Sequence, residues 1–395
     1  MQNDPIVIVG GARTPMGGFQ GDLSSCTATE LGAVAIKAAV ARAGVKPEDI
    51  QEVIMGNVLP AGVGQAPARQ AAIGAGLPFD AGCTTINKAC GSGMKAVMLA
   101  HDLIVADSGA VMVAGGMESM TNAPYLLLKV RSGLRLGHGE VKDHMFYDGL
   151  EDPFDRNCIM GTYAEEFASR YKFSREDQDR FAIASLTRAQ TAIKDGSFVK
   201  EITPVVVKSA KDDKIVSQDE QPLKANLEKI PNLKPAFRKN GTVTSASSSS
   251  ISDGGVALVL MKRSEAERRG LKPLAVIRDH ATHSQEPASF PVAPVGAIKK
   301  LLAKTGWSTK DVDLYEINEA FAVVPMVAMH DLDLPHEKVN VHGGACALGH
   351  PVGVSGTRIM VTLLAALEKY GLQRGVASIC IGGGEATAIA VERLA

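Results

Sequence analysis

At 395 residues, with 45% hydrophobic and 22% charged side chains, the chain is long enough for two to three domains, which excludes a stapled miniprotein and a disordered polypeptide. Forty-two basic against forty-three acidic residues leave a formal charge of −1, so no global field draws a polyanion and nucleic acid is excluded as the main partner. Six cysteines are too few for a disulfide framework; scattered single thiols suit a reducing compartment, where each is core filler or chemistry.

Met1 to Asp4 is polar and acidic and carries no signal or transit character. It leads into a strand-like Ile6 to Val9 that Gly10 and Gly11 are expected to end. Apolar runs such as Val256 to Met261 fall far short of the roughly 20 residues a membrane span needs, so the reading is cytoplasmic, with no membrane partner. Helical stretches then alternate with β-rich runs: Glu30 to Ala43, Glu52 to Met55, Lys95 to Val105, Ala110 to Ala114. That rhythm predicts an α/β protein with parallel strands. Residues 121–249 break it, with more charge and proline, a polar glycine-rich piece at 131–140 and an amphipathic helix from Arg175 to Lys194. They read as an inserted loop domain. Asp253 to Met261 reads as a buried strand returning to the first half, so the expected N-terminal domain is discontinuous, 1–120 with 250–272, and the C-terminal domain is 273–395.

The C-terminal part repeats the N-terminal theme. Ala43 to Ile50 corresponds to Thr305 to Val312 at an offset of 262, and Ser92-Gly93 to Ser355-Gly356 at 263. Residues 109–118 similarly echo 375–385. Matched features at near-constant offset predict two similar halves.

Four positions can carry chemistry. Cys90 follows a short strand and precedes Gly91-Ser92-Gly93 and a helix, where unpaired N–H groups and the helix dipole favour thiolate; a filler cysteine is the competing reading. Gly91 to Ala96 also fits a loose dinucleotide pattern, discounted because no acidic residue closes a second strand about 20 residues on. Cys380 ends an apolar run before three glycines, a place for a ligand-facing thiol or for core. Asn318, in Asn-Glu-Ala-Phe-Ala, reaches a cleft or caps the next helix. His350, between Gly349 and Pro351, sits in non-helical backbone. His342, Cys346 and His350 are spaced by four, but the glycines and proline among them argue against a helical zinc site. Two cysteines, a histidine and an asparagine at strand ends point to thiol nucleophilic catalysis with separate acid/base groups.

These segments resemble the thiolases. Asn87 to Gly93 is similar to that family's nucleophile loop, 318–322 to its asparagine motif, Gly343 to Pro351 to its histidine motif and Cys380 to Gly384 to its second-cysteine motif. Gly11 to Pro15 and Gly241 to Thr244 extend the resemblance over nearly the whole chain. It implies a five-layered αβαβα core of two similar halves plus an inserted loop domain. It implies that Cys90, deprotonated by His350, takes an acyl group from acyl-CoA, and that Cys380 deprotonates a second acetyl-CoA. His350 and a water held by Asn318 would stabilise the enolate; the N–H groups of Cys90 and Gly382 would form a second oxyanion hole. Ser249, Met160, Phe237, Ala320 and Phe321 are the implied substrate-binding positions. Acetyl-CoA, acetoacetyl-CoA and CoA are the implied partners, with no cofactor and no metal. The biosynthetic, acetyl-transferring branch fits best, and Lys129 to His144 resembles its tetramer-forming loop, implying a homotetramer. Departures from the pattern are Ile159 before Met160-Gly161, Ser247 to Ser250 in the pantetheine loop, Glu385-Ala386 after the triple glycine, and no arginine in Asp219 to Pro235. The competing readings are a broader-chain degradative 3-ketoacyl-CoA thiolase, a ketoacyl-carrier-protein or hydroxymethylglutaryl-CoA synthase, and an inactive acyl-CoA or lipid-binding protein on the same scaffold. The synthases lack a second cysteine in a Cys-x-Gly-Gly-Gly turn.

Overall fold

The computed structural model describes residues 4–156, 158–209 and 211–394, so Met1 to Asn3 of the acidic start lie outside the described residues. β1 (Ile6–Arg13) runs through Gly10 and Gly11 instead of ending there. Packing is the reason: a Cβ on Gly10 would stand 2.6 Å from the Ala39 carbonyl oxygen, so the glycine lets helix α1 (Ala28–Ala43) lie directly on the strand. α1 starts in a capping box between Thr27 and Glu30 and stops at Gly44, φ 70°. With β2 (Gly17–Gly18), β3 (Glu52–Gly56), α2 (Pro67–Gly74), β4 (Gly82–Ile86), α3 (Ser92–Val105) and β5 (Val111–Ser119) it makes the first run.

The excursion that follows carries β6 (Tyr125–Leu127), β7 (Val141–Asp143), α4 (Met160–Arg170), α5 (Arg175–Lys194), β8 (Val205–Val207), β9 (Lys214–Val216) and α6 (Glu220–Lys224). α5 has the bounds expected from its pattern, opened by a capping box between Ser174 and Asp177. β10 (Ser252–Lys262) and α7 (Arg263–Arg268) return to the first sheet. β11 (Ala275–Ser284), α8 (Ala293–Thr305), β12 (Leu314–Ile317), α9 (Val323–Leu332), α10 (Ala345–Leu348), α11 (Ser355–Lys369), β13 (Arg374–Ile381) and β14 (Glu385–Glu392) complete the chain.

The strand order β3-β5-β10-β1 in the first half is matched by β12-β13-β14-β11 in the second, and β1 joins β11 only through Val7–Val276 and Ile8–Ala275. The expectation of a parallel sheet is corrected: among the strand pairs of the described residues in this sheet, β3/β4, β3/β5 and β12/β13 are parallel and the others antiparallel. β13 and β14 are separated by Gly382–Gly384 alone, far too few residues for the crossover that parallel neighbours need. The repeat is structural as well: a 3-10 turn at Pro47–Asp49 recurs at Thr309–Asp311, and Gly44 recurs as Gly306 with φ 72°.

Successive residues of β1 feed different cores, as strand pleating requires. Val7 packs outward with Ile36 and Ala39 of α1, while Ile8 packs inward with Met94 and Val97 of α3 and Ile359 and Leu363 of α11. A third core joins α8 and α9 to the outer face of the second sheet through Ile298, Val324 and Val376. Helix, sheet, helix, sheet, helix is the five-layered arrangement. Gly93 and Gly356 let the first turns of α3 and α11 touch: a Cβ on Gly356 would lie 2.6 Å from Met94 N, and one on Gly93 2.9 Å from Gly353 O. The excursion is locked to β1 by Arg13, which donates to Asp219 at 2.6 and 2.9 Å and to Glu201 at 3.0 Å, all three fully buried. Removing one member of such a triad strands a buried charge, at about 3–5 kcal/mol.

Candidate active site

The β4–α3 junction is built to hold one side chain rigidly. Ser92 Oγ accepts from Lys88 N at 2.8 Å and donates to Ala89 O, and Asn87 Oδ1 accepts from Ala89 N. Lys88 pairs with Glu385, so the departure after the triple glycine ties this loop to β14. Ala89 adopts φ 42°, a left-handed conformation uncommon without glycine, and Cys90 follows it, two residues before α3 begins. Burial pushes the Cys90 thiol up, against the pull of the Gly382 and Cys90 N–H groups. This corrects the expectation of a thiolate favoured by the helix N-terminus: desolvation wins and the resting group is a thiol.

The second half brings three groups. Cys380 is fully buried at the end of β13, and its thiol is pushed well above the ordinary range, first by burial and then by the charge that Cys90 can carry. Cys380 therefore senses the charge state of Cys90. Asn318 is fixed by its backbone N–H to Ser378 O at 3.0 Å, two residues before Cys380. Its side chain is buried, and among the described residues neither Oδ1 nor Nδ2 meets a partner. His350 Nδ1 lies 2.6 Å from Ser355 Oγ, and Nε2 has no partner among the described residues. Because Ser355 Oγ donates to Pro351 O, it accepts from Nδ1–H, which leaves the lone pair on Nε2. Burial and then the Arg358 charge hold His350 down at about 3, a neutral base at neutral pH.

The serine run stitches these segments together. Ser247 O accepts from Ala322 N, Ser249 donates from both N and Oγ to Ala320 O at 3.0 Å, and Ser250 O accepts from His350 N. Beside it stands an aromatic wall: Phe237 meets Phe321 edge-on at 5.6 Å, with Phe290 6.4 Å from Phe321. Phe237 packs on Gly161, and Met160 Sδ would be 3.3 Å from a Cβ on Gly382. Every expected substrate-binding residue, Ser249, Met160, Phe237, Ala320 and Phe321, thus lies in this neighbourhood. His342, Cys346 and His350 do not form a ligand group among the described residues. His342 packs between Phe198 and Tyr370, and Cys346 Sγ contacts Glu319 O.

Two supporting residues escaped the sequence reading. Glu118 accepts from the N–H groups of Val58, Leu59 and Gly353 and from Asn57 Nδ2, pinning the segment after His350 to the loop after β3. Burial outweighs these bonds and pushes its carboxyl up to about 7. Its signal was an acid closing the apolar run of β5. Ser355 was legible only as a helix start within the repeat.

The family model "Thiolase, N-terminal domain" matches residues 6–264 and "Thiolase, C-terminal domain" matches 271–393. The chain is 49% identical to "Acetyl-CoA acetyltransferase, cytosolic" of Mus musculus over 99% of both chains. It is 47% identical to "Acetyl-CoA acetyltransferase" of Cupriavidus necator over 98% of this chain and 99% of that one. The crystal structure of the Bacillus anthracis acetyl-CoA acetyltransferase superposes with a TM-score of 0.96 at 41% identity, covering 99% of each chain.

Proposed function

Because the chain belongs to the thiolase family, we propose that it is an acetyl-CoA C-acetyltransferase, joining two acetyl-CoA molecules into acetoacetyl-CoA and CoA and running the same steps in reverse. One observation carries the reading: a thiol from each half, the second sensing the charge of the first, beside a neutral imidazole and an amide whose working atoms have no protein partner among the described residues. Cys90 Sγ attacks the thioester carbonyl while His350 Nε2 takes its proton and returns it to the departing CoA sulfur. The N–H groups of Cys90 and Gly382 receive the oxyanion. Cys380 rests as a thiol, so once CoA has left its proton passes to His350 Nε2, which gives the thiolate base and an imidazolium. Cys380 then takes an α-proton from the second acetyl-CoA, and the enolate is held by His350 and a water on Asn318. Its carbon attacks the acyl group, and Cys90 leaves as a thiolate that recovers the proton held on His350, while Cys380 keeps the α-proton. No cofactor enters this cycle.

The aromatic wall of Phe237, Phe290 and Phe321 supports a short acyl group. Lys234, Arg238 and Lys239, around a groove of about 410 Å³ beside Phe237, suit CoA phosphates. We also infer a cytoplasmic homotetramer, a dimer of dimers. The hairpin of β6 and β7 exposes Leu127, Val130, Leu134, Leu136 and Val141, an apolar tip that a partner would cover. No helix among the described residues is long and apolar enough to cross a membrane. Thiolysis of acetoacetyl-CoA, 2-methylacetoacetyl-CoA and a long-chain 3-ketoacyl-CoA tests the substrate. The expected order favours the short chains; faster long-chain turnover supports the degradative reading, and no turnover at all supports an inactive binding protein. Light scattering that finds a stable dimer at micromolar concentration overturns the tetramer.

A further inference from the structure

At the seam between the halves, remote from the catalytic groups, His101 of α3 and His280 of β11 approach with rings edge to face, centroids 5.1 Å apart. Asp102 Oδ1 lies 3.0 Å from His101 Nδ1 and 2.8 Å from His280 Nε2, and the three atoms all fall within 4.8 Å of one another. His101 stands nine residues along α3 from Ser92, about 14 Å from the helix end that carries Cys90. We propose that His101, Asp102 and His280 bind one zinc-type divalent transition-metal ion that clamps α3 of the first half to β11 of the second.

Two imidazoles and one carboxylate are the donor set that zinc accepts, with ligand bonds of about 2.0–2.2 Å and water filling the open position. Tetrahedral ligands at that length stand about 3.4 Å apart, so the separations on each side of Asp102 open by about half an ångström while the two imidazole nitrogens, within 4.8 Å of each other, close toward the same value. Asp102, with its side chain 53% exposed, supplies the first movement, and small shifts of the two rings, 10% and 14% exposed, supply the second. Lys304, the cation beside His280, is engaged: its Nζ donates to Asp279 Oδ1 at 2.5 Å and to His280 O at 2.7 Å. Neither histidine nor Asp102 takes part in the proposed acyl transfer, and the ligand set spans two elements that are far apart in sequence. A metal bound there stabilises the folded form by mass action, since the unfolded chain does not keep α3 and β11 together.

Equilibrium dialysis of the full-length, chelator-stripped protein against zinc, with bound metal counted, tests the proposal. Wild type is expected to bind one saturable equivalent in the micromolar range and to melt at a higher temperature with zinc than without. Cys90→Ser should keep that equivalent. Asp102→Asn and His280→Gln should each weaken it at least about tenfold, a change of about 1.4 kcal/mol, while keeping metal-free acyl transfer. Should His280→Gln fail to fold, the exposed Asp102→Asn decides alone. Unchanged affinity in Asp102→Asn, loss of the equivalent in Cys90→Ser, or no saturable binding by wild type at millimolar zinc overturns it.

Discussion

The two halves share a strand order and a central helix each, yet they supply different chemistry. In the first, the residue two positions before α3 is a thiol; in the second, the residue five positions before α11 is an imidazole. The shared Ser-Gly at both helix starts has a common task, since Gly93 and Gly356 let the two first turns meet, bringing both helix N-termini to one place. The causes at the two ends differ: burial and then the Arg358 charge keep the base neutral on one side, while the N–H groups of Gly382 and Cys90 favour a nucleophile's charge on the other.

The division of labour breaks most sharply at the two cysteines. Cys90→Ser should lose nearly all acylation, about 10⁴-fold or more, because a hydroxyl lacks the nucleophilicity of sulfur. Cys380→Ser should still take up label from acetyl-CoA while exchange of acetyl α-protons into heavy water collapses. Covalent labelling paired with that exchange is the measurement, and the reverse pattern would mean the roles are swapped.

Asn318→Ala sharpens what the second half contributes. With both its amide polar atoms lacking protein partners, its expected loss is about 10²–10³-fold in condensation, with acyl labelling intact. Equal loss of labelling in single-turnover assays would place Asn318 in the first step instead.

The helix contact can be broken symmetrically. Gly356→Ala drives a Cβ to 2.6 Å from Met94 N, and Gly93→Ala drives one to 2.9 Å from Gly353 O. Urea unfolding should show a loss of about 2–3 kcal/mol for the first and somewhat less for the second. Stability within a few tenths of wild type for both would show that the two first turns need no such approach.

The smallest effect distinguishes a folded-in histidine from the catalytic one. His342 is held down at about 4 by burial, then by Lys369, against 6.5 for the free side chain, and neither ring nitrogen has a protein partner. Between those values the unfolded chain binds the extra proton, so the residue's penalty on folding grows as pH falls below 6.5. His342→Leu should therefore gain about 2 kcal/mol at pH 5 relative to its effect at pH 8. Melting at both pH values checks this, and an equal effect at the two would remove His342 as the source.

Much of this was legible in the chain. The offset repeat anticipated the duplicated turns at Pro47–Asp49 and Thr309–Asp311, and the amphipathic pattern from Arg175 to Lys194 marked α5. Cys90, His350 and Cys380 stood out because each sits beside glycine or proline at the edge of a short run, and Asn318 because it ends a strand-like run, local signals that need no partner. Strand direction was not legible: alternating helices and strands suggest parallel neighbours, but β10 is placed by the return of the excursion and β14 by a three-glycine turn. Nor was the protonation state of Cys90. The helix end beside it is local and readable, whereas the burial that overrules the dipole comes from side chains of other elements packed against Cys90, from the central core and from the cluster of Val58, Met145 and Val352. Glu118, Ser355 and the seam of His101, Asp102 and His280 belong to the same class. Their partners lie in other elements, and only tertiary packing sets the distances on which hydrogen bonding, ligation and desolvation depend.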